Sequence, residues 1–243
     1  MISPVTQAAG SGNDDDHEVE GLAWAYGLIS PDLAERAAAL DRHARARTEV
    51  EAAFDRLREG RFRRLWFRPR MRAYRRASGR CFPGALYGGS KYGHGEISTW
   101  PRLPLALLFL EWEARYPLEW TEHAKAWGAK EALIRDLAAT DHDQHLRARL
   151  VDLVGLAVQR TYRCKDREYV RVARAVDGDE LRDRLHSAKR SGNPAALLHA
   201  SYVLWLLDRP EIPNTRHVWR TWLSGTASWQ AAGRRRGAAS DLV

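Results

Sequence analysis

Apolar residues at three- and four-residue steps recur along most of this chain. No window shows four or more residues of clean apolar–polar alternation bounded by turn dipeptides. The pattern restricts the fold to helices. An all-α protein is expected, with short connections that make successive helices antiparallel neighbours in one or two bundles. The 243 residues suffice for one domain, or two small ones, with a real core. No repeat of fixed period is present.

Trp24, Tyr26, Leu28 and Ile29 make a short apolar helical segment, and Ser30-Pro31 reads as a helix start with a capping hydroxyl and a proline at the first helical position. Between Asp32 and Glu59 the apolar stripe is Leu33, Ala37, Leu40, Ala44, Phe54 and Leu57. Arg36, Arg42, Arg45 and Arg47 lie on the other face, and Gly60 is the stop. Further helices are predicted over Leu103 to Arg115, ended by Pro117, and over Thr121 to Leu137. Another runs from Asp141 to Tyr162, capped by Thr140 or Asp141. Asp166 to Val176, Asp179 to Lys189, and Pro194 to Leu207 follow, and a short last helix, Arg216 to Leu223, puts Val218, Trp219 and Trp222 on one side.

The organisation this implies is a disordered acidic tail over 1–18, containing Asp14, Asp15 and Asp16, and an N-terminal helical region over 19–78. A glycine-rich loop near 79–100 is the candidate domain boundary, followed by a C-terminal helical bundle over 101–224 and a basic flexible tail over 225–243.

Composition removes several classes. A chain that is 44% hydrophobic with 10 Trp is not disordered, and two Cys are too few for a disulfide scaffold or a four-thiolate zinc site. Cys81 and Cys164 are expected to be reduced. The first 20 residues contain no Lys or Arg and no apolar core, so no signal peptide is expected and the location is cytoplasmic. Leu103 to Leu110, interrupted by Pro104, falls far short of the ~20 residues of a membrane span. No membrane partner is expected.

The charge is concentrated. Residues 56–80 hold 11 Arg against one acid, Glu59, while the net charge of the whole is +8, so the other 218 residues sum to −2. Within RFRRLWFRPRMRAYRRASGR, residues 61–80, Phe62, Trp66, Phe67 and Tyr74 are interleaved with arginines, and Pro69 predicts two short helical pieces with a bend. Guanidinium groups offer paired donors to phosphate oxygens, and aromatic rings give exposed bases a stacking surface. Nucleic-acid contact is therefore expected through Arg61, Arg63, Arg64, Arg68, Arg70, Arg72, Arg75, Arg76 and Arg80, with Trp66 or Tyr74 available for stacking. No helix-turn-helix pair, zinc-finger spacing or RNP motif occurs, which favours backbone contact over base readout. The alternatives are packing against an acidic protein partner, a solvated face, and capture by the acidic segment 14–20.

Arg160, Arg163, Arg167, Arg171 and Arg174 recur at helical spacing and form a second candidate surface, provided the helix continues through them. Lys91 in the glycine-rich loop extends the first. That loop, with Tyr87, Lys91, Tyr92, His94 and Glu96, is also where an enzyme would hold its catalytic groups, and Cys81 beside Arg80 is a candidate activated thiol. Asp141 with His145, and Glu119 with His123, have metal-ligand spacing but no supporting motif. The expectation is no metal, no cofactor and no catalytic residue.

From Arg167 the sequence REYVRVARAVDGDELRDRLHSAKRSGNPAALLHASYVLWLLDRP, followed by RHVWRTWL, resembles the C-terminal helical pattern of the small subunit of CRISPR effector complexes. A basic helix and an Arg-Leu-rich helix there precede a Trp-containing apolar helix, and the match covers about a quarter of the chain. The resemblance implies an all-α, non-enzymatic subunit that assembles in copies within a ribonucleoprotein and supports RNA or displaced DNA on basic surface. Its partners would be nucleic acid and other protein subunits. The long N-terminal portion and the glycine-rich loop depart from that family's compact pattern, and no residue is carried over from it.

Overall fold

The computed structural model describes residues 21–59, 64–86 and 97–225, and for residues 64–66 and 85 the backbone alone. The fold is all-α, and no strand occurs among the described residues. The chain forms two compact units, Met1–Ala126 and Trp127–Val243. The division thus falls after the helices at 103–123 rather than in the glycine-rich stretch, because those helices supply the core of the first unit. The expected tails over 1–18 and 225–243 lie outside the described residues, apart from residue 225, and so does most of the glycine-rich loop, residues 87–96.

In the first unit a 3-10 turn, Ala23–Ile29, leads into α1, Leu33–Glu59. The cap of α1 is Asp32, two residues beyond the expected Ser30: its Oδ1 accepts from the backbone N–H of Ala34 at 2.7 Å and of Glu35 at 3.4 Å. Ser30 supports the cap, its hydroxyl accepting from Asp32 N–H and donating to the Glu35 carboxylate at 2.7 Å. The buried face of α1 is Arg36, Ala39, His43 and Ala53, whereas Leu33 and Phe54 of the expected stripe are 72% and 44% exposed. Two basic side chains turn inward, one as an ion-paired guanidinium and one as a ring packed among rings. Arg36 donates to the Ser30 carbonyl at 2.7 Å and to Glu119 at 3.2 Å, and lies 4.1 Å over the Tyr116 ring. His43 sits among the rings of Trp24, Trp112 and His123.

The Arg-rich segment forms one helix, α2, Arg64–Arg80, with Pro69 inside it, instead of two pieces. Proline at the sixth position removes a single bond, to the carbonyl of residue 65, near an end where backbone groups are least committed. Helix α3, Leu103–Arg115, begins with proline in its first turn and buries every residue from Leu105 to Leu110. A break at Tyr116 starts α4, Pro117–His123, whose Trp120 is fully buried.

The second unit comprises α5 (Trp127–Ala139), α6 (Gln144–Val158), α7 (Tyr169–Ala175), α8 (Asp179–Arg190), α9 (Pro194–Leu207) and α10, residues 216–225. The helix expected from Thr121 to Leu137 is interrupted at 124–126, and the one expected from Asp141 begins later, because Asp143 is the residue whose carboxylate caps it, accepting from Leu146 N–H at 2.7 Å. Asn193 caps α9 and also ties it to the end of α6, donating to the Gln159 carbonyl at 2.6 Å. Leu133, Ile134, Leu150, Val172, Leu181 and Leu206 contribute the core.

Candidate nucleic-acid interface

Helix α2 packs on α1 through one side. Arg70 donates to the carbonyl of Arg56 at 2.7 Å, and Tyr74 lies against Phe54 with ring centroids 5.7 Å apart. At 3.6 residues per turn the opposite side collects Arg68, Arg72, Arg75, Arg76 and Arg80 within an arc of about 140°. All five are exposed. None of them forms an ion pair with a carboxylate among the described residues. From Arg68 to Arg80 the stripe runs about 18 Å along the helix axis at ~1.5 Å per residue.

Arg80 occupies the last turn, where positive charge is favoured by the helix dipole. On the side of α2 that faces α1, Phe67 is 41% exposed and Phe54 44% exposed, with the Arg58 guanidinium 6.0 Å over the Phe54 ring. Phe54 lies five turns from Arg36 on the same face of α1, near the helix end, where it packs on Tyr74 of α2 and stays partly exposed. Arg61, Arg63 and Lys91 lie outside the described residues, as do the side chains of Arg64 and Trp66.

The second expected surface is assembled differently. The helix does not continue through it: α6 ends at Val158, and Lys165 takes a left-handed φ of 68°. Arg160 grips Asp166 with both terminal nitrogens, at 2.7 and 3.1 Å, and is 11% exposed. Asp166 also accepts from the fully buried Lys130 at 2.6 Å and from the backbone N–H of Arg163 at 2.6 Å. The Arg163 guanidinium lies 5.4 Å from the Trp127 ring, and Arg174 donates to the carbonyls of Leu206, Arg209 and Ile212. Arg167 is half-buried beside Tyr162. Arg171 alone of the five is exposed, and it pairs with Glu168 at 2.8 Å. Burial opposes ionisation of Glu168, but hydrogen bonds from Arg135 and Arg171 outweigh it and hold the carboxyl below its ordinary pKa. The structure therefore does not bring these arginines to one outward face.

Cys81 is buried, and burial pushes its thiol above the ordinary range, the reverse of activation. No group of three metal-ligating side chains occurs among the described residues. Glu119 is engaged by Arg36, and His142 lies 2.5 Å from the Leu137 carbonyl through Nε2. Tyr87, Lys91, Tyr92, His94 and Glu96 lie outside the described residues. No helix among the described residues is long and apolar enough to cross a membrane. In comparisons with known proteins, no family model, no curated protein and no solved structure matches this chain.

Proposed function

We propose that this chain binds RNA or DNA through the arginine stripe of α2, largely independently of sequence, as a non-catalytic helical subunit of a ribonucleoprotein or similar assembly. The observation that carries the reading is the set of five exposed arginines without carboxylate partners among the described residues. Like charges at three- and four-residue spacing repel, and a row of phosphates offsets that repulsion while accepting paired guanidinium hydrogen bonds. At ~3.4 Å per phosphate along one strand of a duplex, an 18 Å stripe faces about five phosphates. Phe67, next to Arg68 on the same helix and 41% exposed, adds a ring on which an unpaired base can stack. The assembly part of the reading rests on the resemblance of residues 167–223 to the small subunit of CRISPR effector complexes, a stretch that folds as successive helices α7 to α10.

The test is fluorescence anisotropy of two labelled single-stranded oligonucleotides of unrelated sequence, titrated across a range of salt. Similar affinities are expected, with a log–log salt slope of about −3 from four or five contacts at ~0.7 each. Replacing Arg68, Arg72, Arg75 and Arg76 together by Gln should flatten the slope and weaken binding about 100-fold at moderate salt. A slope near zero in the parent chain sinks the reading. Binding of poly-glutamate in preference to both oligonucleotides transfers the stripe to an acidic protein partner.

A further inference from the structure

The second unit contains a cavity of about 50 Å³ lined by α6, α7, α9 and α10. Its aliphatic side includes Val158 and Val203. Another side is aromatic: the Tyr162 and His199 rings lie 6.1 Å apart, His199 and Trp219 6.3 Å, and Tyr202 meets Trp219 edge-on at 4.6 Å. Such walls accept a flat ring through edge and face contacts. The volume is several times the ~10–15 Å³ that one water requires and below the ~150 Å³ of an enclosed cavity that takes up benzene, so a ring enters this half-open site in part.

Two charged residues line the same cavity, Asp166 and Arg167. Asp166 is already saturated, its two oxygens shared among Lys130, Arg160 and the Arg163 N–H. Arg167 forms no ion pair with a carboxylate among the described residues, and its charge reaches the hydroxyls of both Tyr162 and Tyr202. His199 is kept below its ordinary pKa chiefly by burial, so the imidazole is neutral near pH 7 and contributes no charge of its own. At the Tyr162 and Tyr202 hydroxyls the Arg167 charge is the leading one, and Arg167 is the group left to meet an anion.

We propose that this cavity binds a small monocyclic aromatic acid, with its ring among His199, Tyr202 and Trp219 and its carboxylate on Arg167. Helix α10 closes the site through Trp219, and Tyr202 holds that segment in place by donating to Asn214 at 3.0 Å. The site is independent of the arginine stripe and does not rest on the nucleic-acid reading.

The experiment is a titration of the full chain with benzoate, followed by calorimetry and by the indole N–H resonance of Trp219, identified through Trp219→Phe. Saturable binding that moves this resonance is expected, with benzyl alcohol about tenfold weaker. Arg167→Gln should bring benzoate down to the level of the alcohol. Val203→Phe, which fills the cavity, should abolish binding of both. Failure of benzoate to saturate overturns the proposal, as does a folded Val203→Phe chain that binds like the parent. Equal benzoate affinity in Arg167→Gln and the parent also overturns it, and this comparison decides alone if Val203→Phe does not fold.

Discussion

The arginines of α2 and those between Arg160 and Arg174 are similar in sequence density and opposite in fate. In the first unit Arg68, Arg72, Arg75, Arg76 and Arg80 point into solvent with no carboxylate partner among the described residues. In the second unit Asp166, Glu168 and a set of helix-end carbonyls absorb the charge. The difference lies in the acids supplied by the surrounding fold, and not in the arginines themselves. Buried bases follow the same division. Lys130 pairs with Asp166, whereas His43 in the first unit is pushed down to about 4, first by burial and then by His123 and Arg47.

The largest break in this comparison should come from Asp166→Ala. It leaves Lys130 buried with no countercharge from Asp166 and removes both Arg160 contacts, so a loss of about 3–5 kcal/mol is expected in urea unfolding of the full chain. A loss below ~1 kcal/mol would show that solvent, and not Asp166, compensates Lys130. The α2 arginines make the contrasting case. The four-fold Gln variant that weakens nucleic-acid binding should unfold at the same urea concentration as the parent or a slightly higher one, because relief of repulsion costs no internal pair.

Next in size is the pH response of His43. Its folded pKa is about 4 against an ordinary 6.5, so the unfolded chain binds the extra proton first. The stability this histidine provides is fully present above pH 6.5. It is lost as pH falls towards 4, with a total of about 3 kcal/mol. Replacing His43 by Leu should remove that part of the acid sensitivity, measured as the difference between unfolding midpoints at pH 7 and pH 5. An unchanged difference would place the sensitivity elsewhere. The smallest effect belongs to Arg171→Ala, where an exposed pair with Glu168 is lost. A change within about 0.5 kcal/mol is expected, and a change above ~2 kcal/mol would mean that Arg171 acts as an internal partner like Arg160.

Helices α3 and α9 are legible in the sequence to the residue, because dense apolar runs coincide with a proline in the first turn. The arginine stripe is legible for a similar reason: residue type and spacing on one helix decide it. What failed depends on contacts far apart in the chain. Arg36 reads as a surface residue until Tyr116 and Glu119 are brought to it, and Phe54, on the same face five turns on, meets Tyr74 and stays partly exposed. Arg160, Arg163, Arg167 and Arg171 look like one helical face until the break at Gln159 and the left-handed Lys165 separate them. The aromatic cavity joins residues from Val154 to Trp219, a span over which no local periodicity speaks.

The Asp166 carboxylate has a consequence for motion. The stretch from Gln159 to Lys165 has no helix of its own, and such segments ordinarily open first. Here it is held at one end by Asn193 on the Gln159 carbonyl, and through its interior by Arg160 and the Arg163 N–H on Asp166. Since Asp166 also holds Lys130, exposing the Arg163 amide requires disturbing the carboxylate that neutralises a buried ammonium. A loop by secondary structure thereby shares the opening cost of α5 at this point, and the Arg163 amide proton is expected to exchange with the core of the unit and not with its surface.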